Sequence, residues 1–287
     1  MVAMEKKTRL KLLVSKLLPQ RMWVQSVFLM IWLNPFGLRM HGMCSPVLHC
    51  YACPLASFAC PIGVIAQLSA IHIFPFIAIG LLIVMGTFFG SLLCGWACPF
   101  GFLQDMAAKV STPRFKLPKW TGHFRYVVLI ITVLAIPYFF GEEHWLFFCQ
   151  ICPAGALEAA VPNMVNQAMA SEKIIWPNAI KLTIFILFLV TIFFVNRPWC
   201  RILCPLGGIF SIFNRVSVFF LQIGTDKCND CKRCHNLCEY GIEPDKTPND
   251  TGCIRCLECT KCVPEAITPA NIFEQTKVMP TPKKKDV

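Results

Sequence analysis

The residues with chemistry to offer are cysteines, and they fall in ordered groups. The chain holds 18 cysteines in 287 residues. Cys228, Cys231, Cys234 and Cys238 follow the spacing C-x2-C-x2-C-x3-C, and Cys253, Cys256, Cys259 and Cys262 follow C-x2-C-x2-C-x2-C. Three thiolates on one tight loop hold three corners of an iron–sulfur cubane. In two-cluster ferredoxins the fourth cysteine of a run ligates the other cluster. The spacing therefore predicts one 4Fe–4S cluster on Cys228, Cys231, Cys234 and Cys262, and a second on Cys253, Cys256, Cys259 and Cys238. The runs depart from the bacterial ferredoxin pattern in two ways. The second ends in x2 with Pro264 one position late, and the first is followed by Glu239 where a proline is usual. A zinc ribbon, which uses only two C-x2-C pairs, fits less well.

The ten cysteines before Thr225 repeat. Four open a Cys-Pro-x-Gly tetrad: CPIG at Cys60, CPFG at Cys98, CPAG at Cys152 and CPLG at Cys204. Cys53-Pro54 is a fifth Cys-Pro pair. Cys94/Cys98 and Cys200/Cys204 form C-x3-C; Cys50/Cys53 and Cys149/Cys152 form C-x2-C. A repeat related by an axis along a membrane normal brings equivalent loops together. It predicts an inner, cytoplasmic-side set, Cys94, Cys98, Cys200 and Cys204. It also predicts an outer set, Cys50, Cys53, Cys149 and Cys152, with Cys60 as the alternative outer ligand and Cys44 spare. Four converging thiolates suit an iron–sulfur cluster or zinc. The outer pairs could instead be exchangeable dithiols or disulfides in an oxidising compartment. In each tetrad the proline ends local pairing and the glycine allows close backbone approach.

The positioning elements must be largely apolar. Apolar residues make up 55% of the chain, charged residues 15%, and mean hydropathy is +0.56. This excludes a disordered or fibrous chain and a small secreted disulfide scaffold. Four segments are apolar over roughly the 20 residues a bilayer requires: Met22–Met40, Ile71–Leu93, Phe124–Phe140 and Ile174–Val195. The expected fold is an all-α membrane protein, four transmembrane helices in two parallel repeats, followed by a small α+β two-cluster ferredoxin domain. The expected divisions are a basic N-terminus over 1–21 and a membrane domain over 22–224, with repeats at about 22–110 and 123–215. The ferredoxin domain follows over 225–270, and a basic tail over 271–287.

The net charge of +11 is concentrated at the N-terminus and between the second and third segments. That bias predicts both termini in the cytoplasm of a bacterial or archaeal inner membrane, with an uncleaved anchor and no nucleic-acid partner. A straight span of 23 residues would separate the two cysteine layers by roughly 30 Å. That is far for direct tunnelling unless the cysteine loops dip inward.

Cys94/Cys98-Pro99, Cys200/Cys204-Pro205 and the eight C-terminal cysteines together resemble the membrane ferredoxins of the NapH/NosR type, over roughly Ser91 to Pro264. The outer motifs HCYACPLASFACPIG and CQICPAG go beyond that pattern. The resemblance implies a quinol dehydrogenase-like electron-transfer subunit, passing electrons between the quinone pool and a periplasmic or cytoplasmic redox partner. Its cofactors would be two C-terminal 4Fe–4S clusters, one or two more in the membrane domain, and quinone. Candidate quinone contacts are His49, His72, Glu142, Glu143 and His144, ionisable groups near membrane depth. Two other functions compete. One is a metallocentre assembly factor using the outer cysteines with Met40 and Met43 as soft ligands. The other is a transmembrane thiol reductant using the outer pairs. No nucleophilic triad, phosphate loop, nucleotide fingerprint or C-x-x-C-H haem motif is present.

Overall fold

The structure is a computed structural model. It describes residues 20–32, 44–50, 52–53, 58–110, 112–171, 173, 176–224, 228, 231–262 and 266–272. Helix α1 spans Arg21–Trp32 and α2 spans Pro61–Ala70. Helix α3 covers Phe76–Phe89, α4 Leu92–Trp96 and α5 Pro99–Ala107. Helix α6 runs over Lys119–Phe140. The short α7 is Phe148–Ile151, and α8 is the continuous helix over residues 153–169. Next come α9 (Ala179–Phe194), α10 (Pro198–Ile202) and α11 (Pro205–Phe213). The C-terminal part holds β1 (Phe219–Ile223), α12 (Arg233–Leu237) and β2 (Ile267–Asn271).

Among the described residues only α6, at 22 residues, is long and apolar enough to cross a membrane; α3 and α9 have 14 and 16. The expected segment Ile71–Leu93 is interrupted at both ends. Pro75, which has no amide hydrogen to give, precedes the first turn of α3. Gly90, at φ +55°, turns the chain out of it. Likewise α9 begins only after Pro177 and Asn178, and the chain is extended at Val195. The expected segment from Met22 is helical to Trp32; the rest of it, to Met40, lies outside the described residues.

Two π-helical turns recur, Leu129–Ala135 in α6 and Ala156–Ala160 in α8. Each lies just N-terminal to a proline, Pro137 or Pro162. The widened turn accommodates the ring and the missing donor. The outward faces of these helices remain apolar: Ile130, Leu134 and Phe139 of α6, and Ile186, Leu187 and Val190 of α9, are exposed.

The tetrads build the core. Cys60, Cys98, Cys152 and Cys204 each occupy an N-cap, at φ −68° to −76° and ψ 111° to 124°, and each following proline is the first residue of a helix. Proline fits that position because its missing amide hydrogen would have no helical partner there. The variable residue of each tetrad, Ile62, Phe100, Ala154 or Leu206, is completely buried. All four N-cap cysteines share one apolar core with Phe148, Phe188 and Phe210.

The C-terminal module begins earlier than the composition change near residue 225 suggests. Strand β1 pairs antiparallel with β2, from Phe219 opposite Asn271 to Ile223 opposite Ile267. The module is therefore closed by a strand drawn from the apolar part of the chain. Arg255, fully buried, ties it down. Its Nη2 donates to the Asn214 carbonyl at 2.8 Å and its Nη1 to that of Phe89 at 3.1 Å, with Phe219 O also in contact.

Candidate functional site

Seven of the eight C-terminal cysteines gather into two groups. Cys238, Cys253, Cys256 and Cys259 line one small cavity, closed by Leu221, Tyr240 and Ile254. Leu257, at φ +66°, and Arg255, at φ +52°, wind the run tightly enough to turn successive cysteines inward. Burial, reinforced by neighbouring thiols, pushes Cys253 up to about 12 and Cys256 up to about 11. Thiols packed this way keep their protons unless a metal supplies positive charge, so the donor set suits iron. In the other group Cys262 lies against Cys231 and Cys234. Cys228 is half-buried, between neighbours outside the described residues. Beside Cys234, His235 Nε2 contacts the Asp245 carboxylate.

Cys94, Cys98, Cys200 and Cys204 lie within electrostatic range of one another. Each Cys-Pro-x-Gly glycine amide faces the sulfur of its own cysteine. At Cys204 this is a hydrogen bond, with Gly207 N–H donating to Sγ at 3.4 Å. Gln104 Nε2 also donates to Cys200 Sγ at 3.0 Å. Amides and helix N-termini aimed at sulfur favour its anionic, metal-bound form.

Residues without a motif brace this set. Arg197, at φ +49°, holds Asp105 and donates to the Cys94 carbonyl at 2.6 Å. Arg21 and Gln25 of α1 close on the same carboxylate at 2.6 and 2.9 Å. Burial acts to raise the Asp105 pKa, but Arg197 and Arg21 outweigh it and hold the carboxyl below its usual range. One signal was available: Asp105 is the first acidic residue after Glu5.

The C-terminal module lies directly on the inner set. Ser91 Oγ and Asn214 Nδ2 donate to the Cys253 carbonyl at 2.6 and 2.7 Å, and Trp96 Nε1 donates to that of Arg255 at 3.2 Å. A Cβ added at Gly95 would stand 2.6 Å from the Ile254 carbonyl oxygen, so glycine is what lets the two backbones meet.

On the opposite side, Cys50, Cys60, Cys149 and Cys152 line one cavity with Leu48 and His49; Cys53 does not line it. Cys44 forms an isolated bridge with Ala59. The two layers are closer than a straight span implies, because the tetrad N-caps dip into the shared core. Cys98 Sγ lies 4.0 Å from the Leu48 carbonyl oxygen. Among the quinone candidates, Glu142 and Glu143 line an open cavity of about 370 Å³ together with Cys50, Cys149 and Lys181. Gln67 Nε2 donates to Glu142. His49 is buried. His72 packs on Tyr138 with ring centroids 4.5 Å apart, and His144 lies between Phe140 and Trp145. Met40 and Met43 lie outside the described residues.

Four cysteine N-caps in one shared core, packed against a module with eight more cysteines, are the donor set of an iron–sulfur protein. The 4Fe-4S binding domain family matches residues 71–118 and 179–223, so both C-x3-C-P motifs fall inside it. An uncharacterised protein of Methanocaldococcus jannaschii is 32% identical over 68% of this chain and 78% of its own length. The ferredoxin-type protein NapH of Escherichia coli is 25% identical over 60% of this chain and 58% of its own. The regulatory protein NosR of Stutzerimonas stutzeri is 29% identical over 58% of this chain and 22% of its own. No solved structure matches. The chain belongs to the NapH/NosR-type polyferredoxin family, and its function is iron–sulfur electron transfer.

Proposed function

We propose that the protein is a membrane-bound relay carrying electrons between the quinone pool and a redox partner protein. In this reading Cys228, Cys231, Cys234 and Cys262 hold one C-terminal cluster, and Cys238, Cys253, Cys256 and Cys259 the other. The inner set, Cys94, Cys98, Cys200 and Cys204, holds a third. A 4Fe–4S cluster supplies a one-electron carrier whose potential depends on burial and on hydrogen bonds to sulfur.

The observation that carries the reading is the contact between Gly95, next to Cys94, and the Ile254 carbonyl, between Cys253 and Cys256. Ligand segments of two predicted clusters meet through backbone with no side chain between. Arg197 and Asp105 fix the inner side of that junction, and Ser91, Asn214 and Trp96 fix the module on it. The Tyr240 phenol, raised by burial, stays neutral beside it.

Membrane insertion is supported by α6 and by the exposed apolar faces of α6 and α9, which a lipid environment would cover. In the four-helix arrangement the shorter helices span with the irregular, protein-buried segments beside them. Both termini would then face the cytoplasm. The open cavity beside Glu142 and Glu143 is the candidate quinone or partner contact, since it joins carboxylates to ligand cysteines.

The test is anaerobic purification of the full chain from carbonate-washed membranes, with iron and sulfide analysis and EPR after partial reduction by a short-chain quinol. Membrane-retained protein with spin-coupled cluster signals supports the relay. A protein that washes off, or clusters that report no magnetic neighbours, removes it.

A further inference from the structure

We propose that Cys50, Cys60, Cys149 and Cys152 are the ligands of a further 4Fe–4S cluster, with Cys60 taking the place that C-x2-C spacing assigns to Cys53. This site deepens the relay reading and rests on it, because it lies on the far side of the inner set from the C-terminal module.

The first argument is the repeat as it folds. The inner set takes one tetrad cysteine from each half, Cys98 and Cys204, plus one further cysteine from each, Cys94 and Cys200. The outer cavity has the same composition: the tetrad cysteines Cys60 and Cys152, plus Cys50 and Cys149. Cys60 and Cys152 also match in backbone, at φ −68° and −74° with ψ 124° and 119°, and each begins a helix through a proline. Their glycines, Gly63 and Gly155, turn their amides to the sulfur. Cys53-Pro54 lacks the glycine, having Ala56 in its place.

The second argument is the cavity. It is comparable in size to the cavity framed by the four ferredoxin cysteines, and like it is lined by four sulfurs among mainly apolar side chains. The four thiols lie within electrostatic range of one another, with Lys181 close by as a compensating cation.

The third argument is an orphaned polar atom. His49 is 1% exposed and lines the cavity, and its Nε2 has no hydrogen-bond partner among the described residues. Glu158 anchors this corner. It accepts the Cys50 N–H at 2.7 Å and lies 3.0 Å from His49 Nδ1. A buried ring nitrogen without a partner is destabilising, and a hydrogen bond to cluster sulfur would offset that cost. The connection inward runs through Leu48, whose carbonyl lies 4.0 Å from Cys98 Sγ. Outward, Cys50 and Cys149 also line the open cavity of Glu142 and Glu143.

The test compares full-length wild type with Cys53→Ser, Cys60→Ser and Cys152→Ser, all purified anaerobically in detergent. Iron, acid-labile sulfide and zinc are assayed. Cys60→Ser and Cys152→Ser are each expected to lose about four iron and about four sulfide per chain, while Cys53→Ser keeps the wild-type content. Loss in Cys53→Ser with Cys60→Ser intact overturns the assignment. So does equal content in all variants, or zinc in place of iron. Should Cys60→Ser fail to accumulate, anaerobic alkylation of the wild type mapped by mass spectrometry decides. Cys60 should be protected until iron is chelated; free labelling, or a disulfide at Cys60, overturns the site. A Cys256→Ser control separates the two readings. Failure of the relay reading would show as unchanged iron in that control, whatever Cys60→Ser does.

Discussion

Arg197 grips Asp105 with both arms of its guanidinium, Nε to Oδ1 at 2.7 Å and Nη2 to Oδ2 at 2.5 Å, while its third nitrogen reaches the carbonyl of Cys94. One buried ion pair thus joins α5, the start of α10 and the Cys94 segment. Arg21 shares the carboxylate and brings in α1.

Asp105→Asn should therefore destabilise the protein sharply. It leaves Arg197 buried with its charge uncompensated, a loss of about 3–5 kcal/mol. Thermal unfolding in detergent, followed by loss of iron–sulfur absorbance, measures it. The Asp105 pKa is depressed in the folded state, so its contribution is complete above the ordinary carboxylate pKa of about 3.9 and disappears as pH falls through the lowered value. The difference between wild type and Asp105→Asn should accordingly narrow in strong acid. A constant difference from neutral pH to strong acid would assign the effect to packing.

Gly95→Ala should loosen the docked module. The added methyl meets a backbone oxygen, which cannot swing aside as a side chain could. A cost of about 1–3 kcal/mol is expected from the overpacking. Limited proteolysis should release the C-terminal module faster, with its iron content unchanged, and spin coupling to the inner set should weaken. Unchanged proteolysis and unchanged EPR line shape would count against the junction.

Cys256→Ser and Cys231→Ser should each remove a different cluster. Cys256 shares its cavity with Cys238, Cys253 and Cys259, whereas Cys231 lies against Cys262. Each variant should lose about four iron atoms, and the double variant about eight. Double and single variants with the same loss would mean that the two runs build one centre.

Arg255→Lys should be nearly as damaging as Arg255→Met. The guanidinium serves the carbonyls of Phe89, Asn214 and Phe219 from a fully buried position. An ammonium is a point donor on a flexible stem and does not reproduce the fork. Each unsatisfied carbonyl costs about 1–3 kcal/mol. Melting temperatures of the two variants, compared with wild type, test this; a lysine variant that melts like wild type would show that charge alone suffices.

Much of the chemistry was legible in the linear pattern. In the C-terminal runs a short loop limits which thiols can face one point; Cys238 joins Cys253, Cys256 and Cys259 at one cavity, and Cys262 lies against Cys231 and Cys234. The Cys-Pro-x-Gly tetrads announced their local geometry for a similar reason. Proline selects the first helical position and glycine leaves the amide free to approach sulfur. Apolar composition marked α6, although the turns around Pro75, Gly90 and Val195 shortened its neighbours.

The tertiary structure decided what spacing could not. That Cys60 rather than Cys53 lines the cavity of Cys50, Cys149 and Cys152 is a matter of tertiary packing, about which C-x2-C spacing carries no information. The approach of Leu48 to Cys98 arises because the tetrad N-caps share a core. The Asp105–Arg197 and Arg255 braces join residues 92 and as many as 166 positions apart. Local sequence sets the conformation of a turn or cap, where a few dihedral preferences and one hydrogen bond decide the outcome. Long-range pairs are chosen by the burial of the whole chain, which satisfies charge and carbonyl groups wherever packing brings them together.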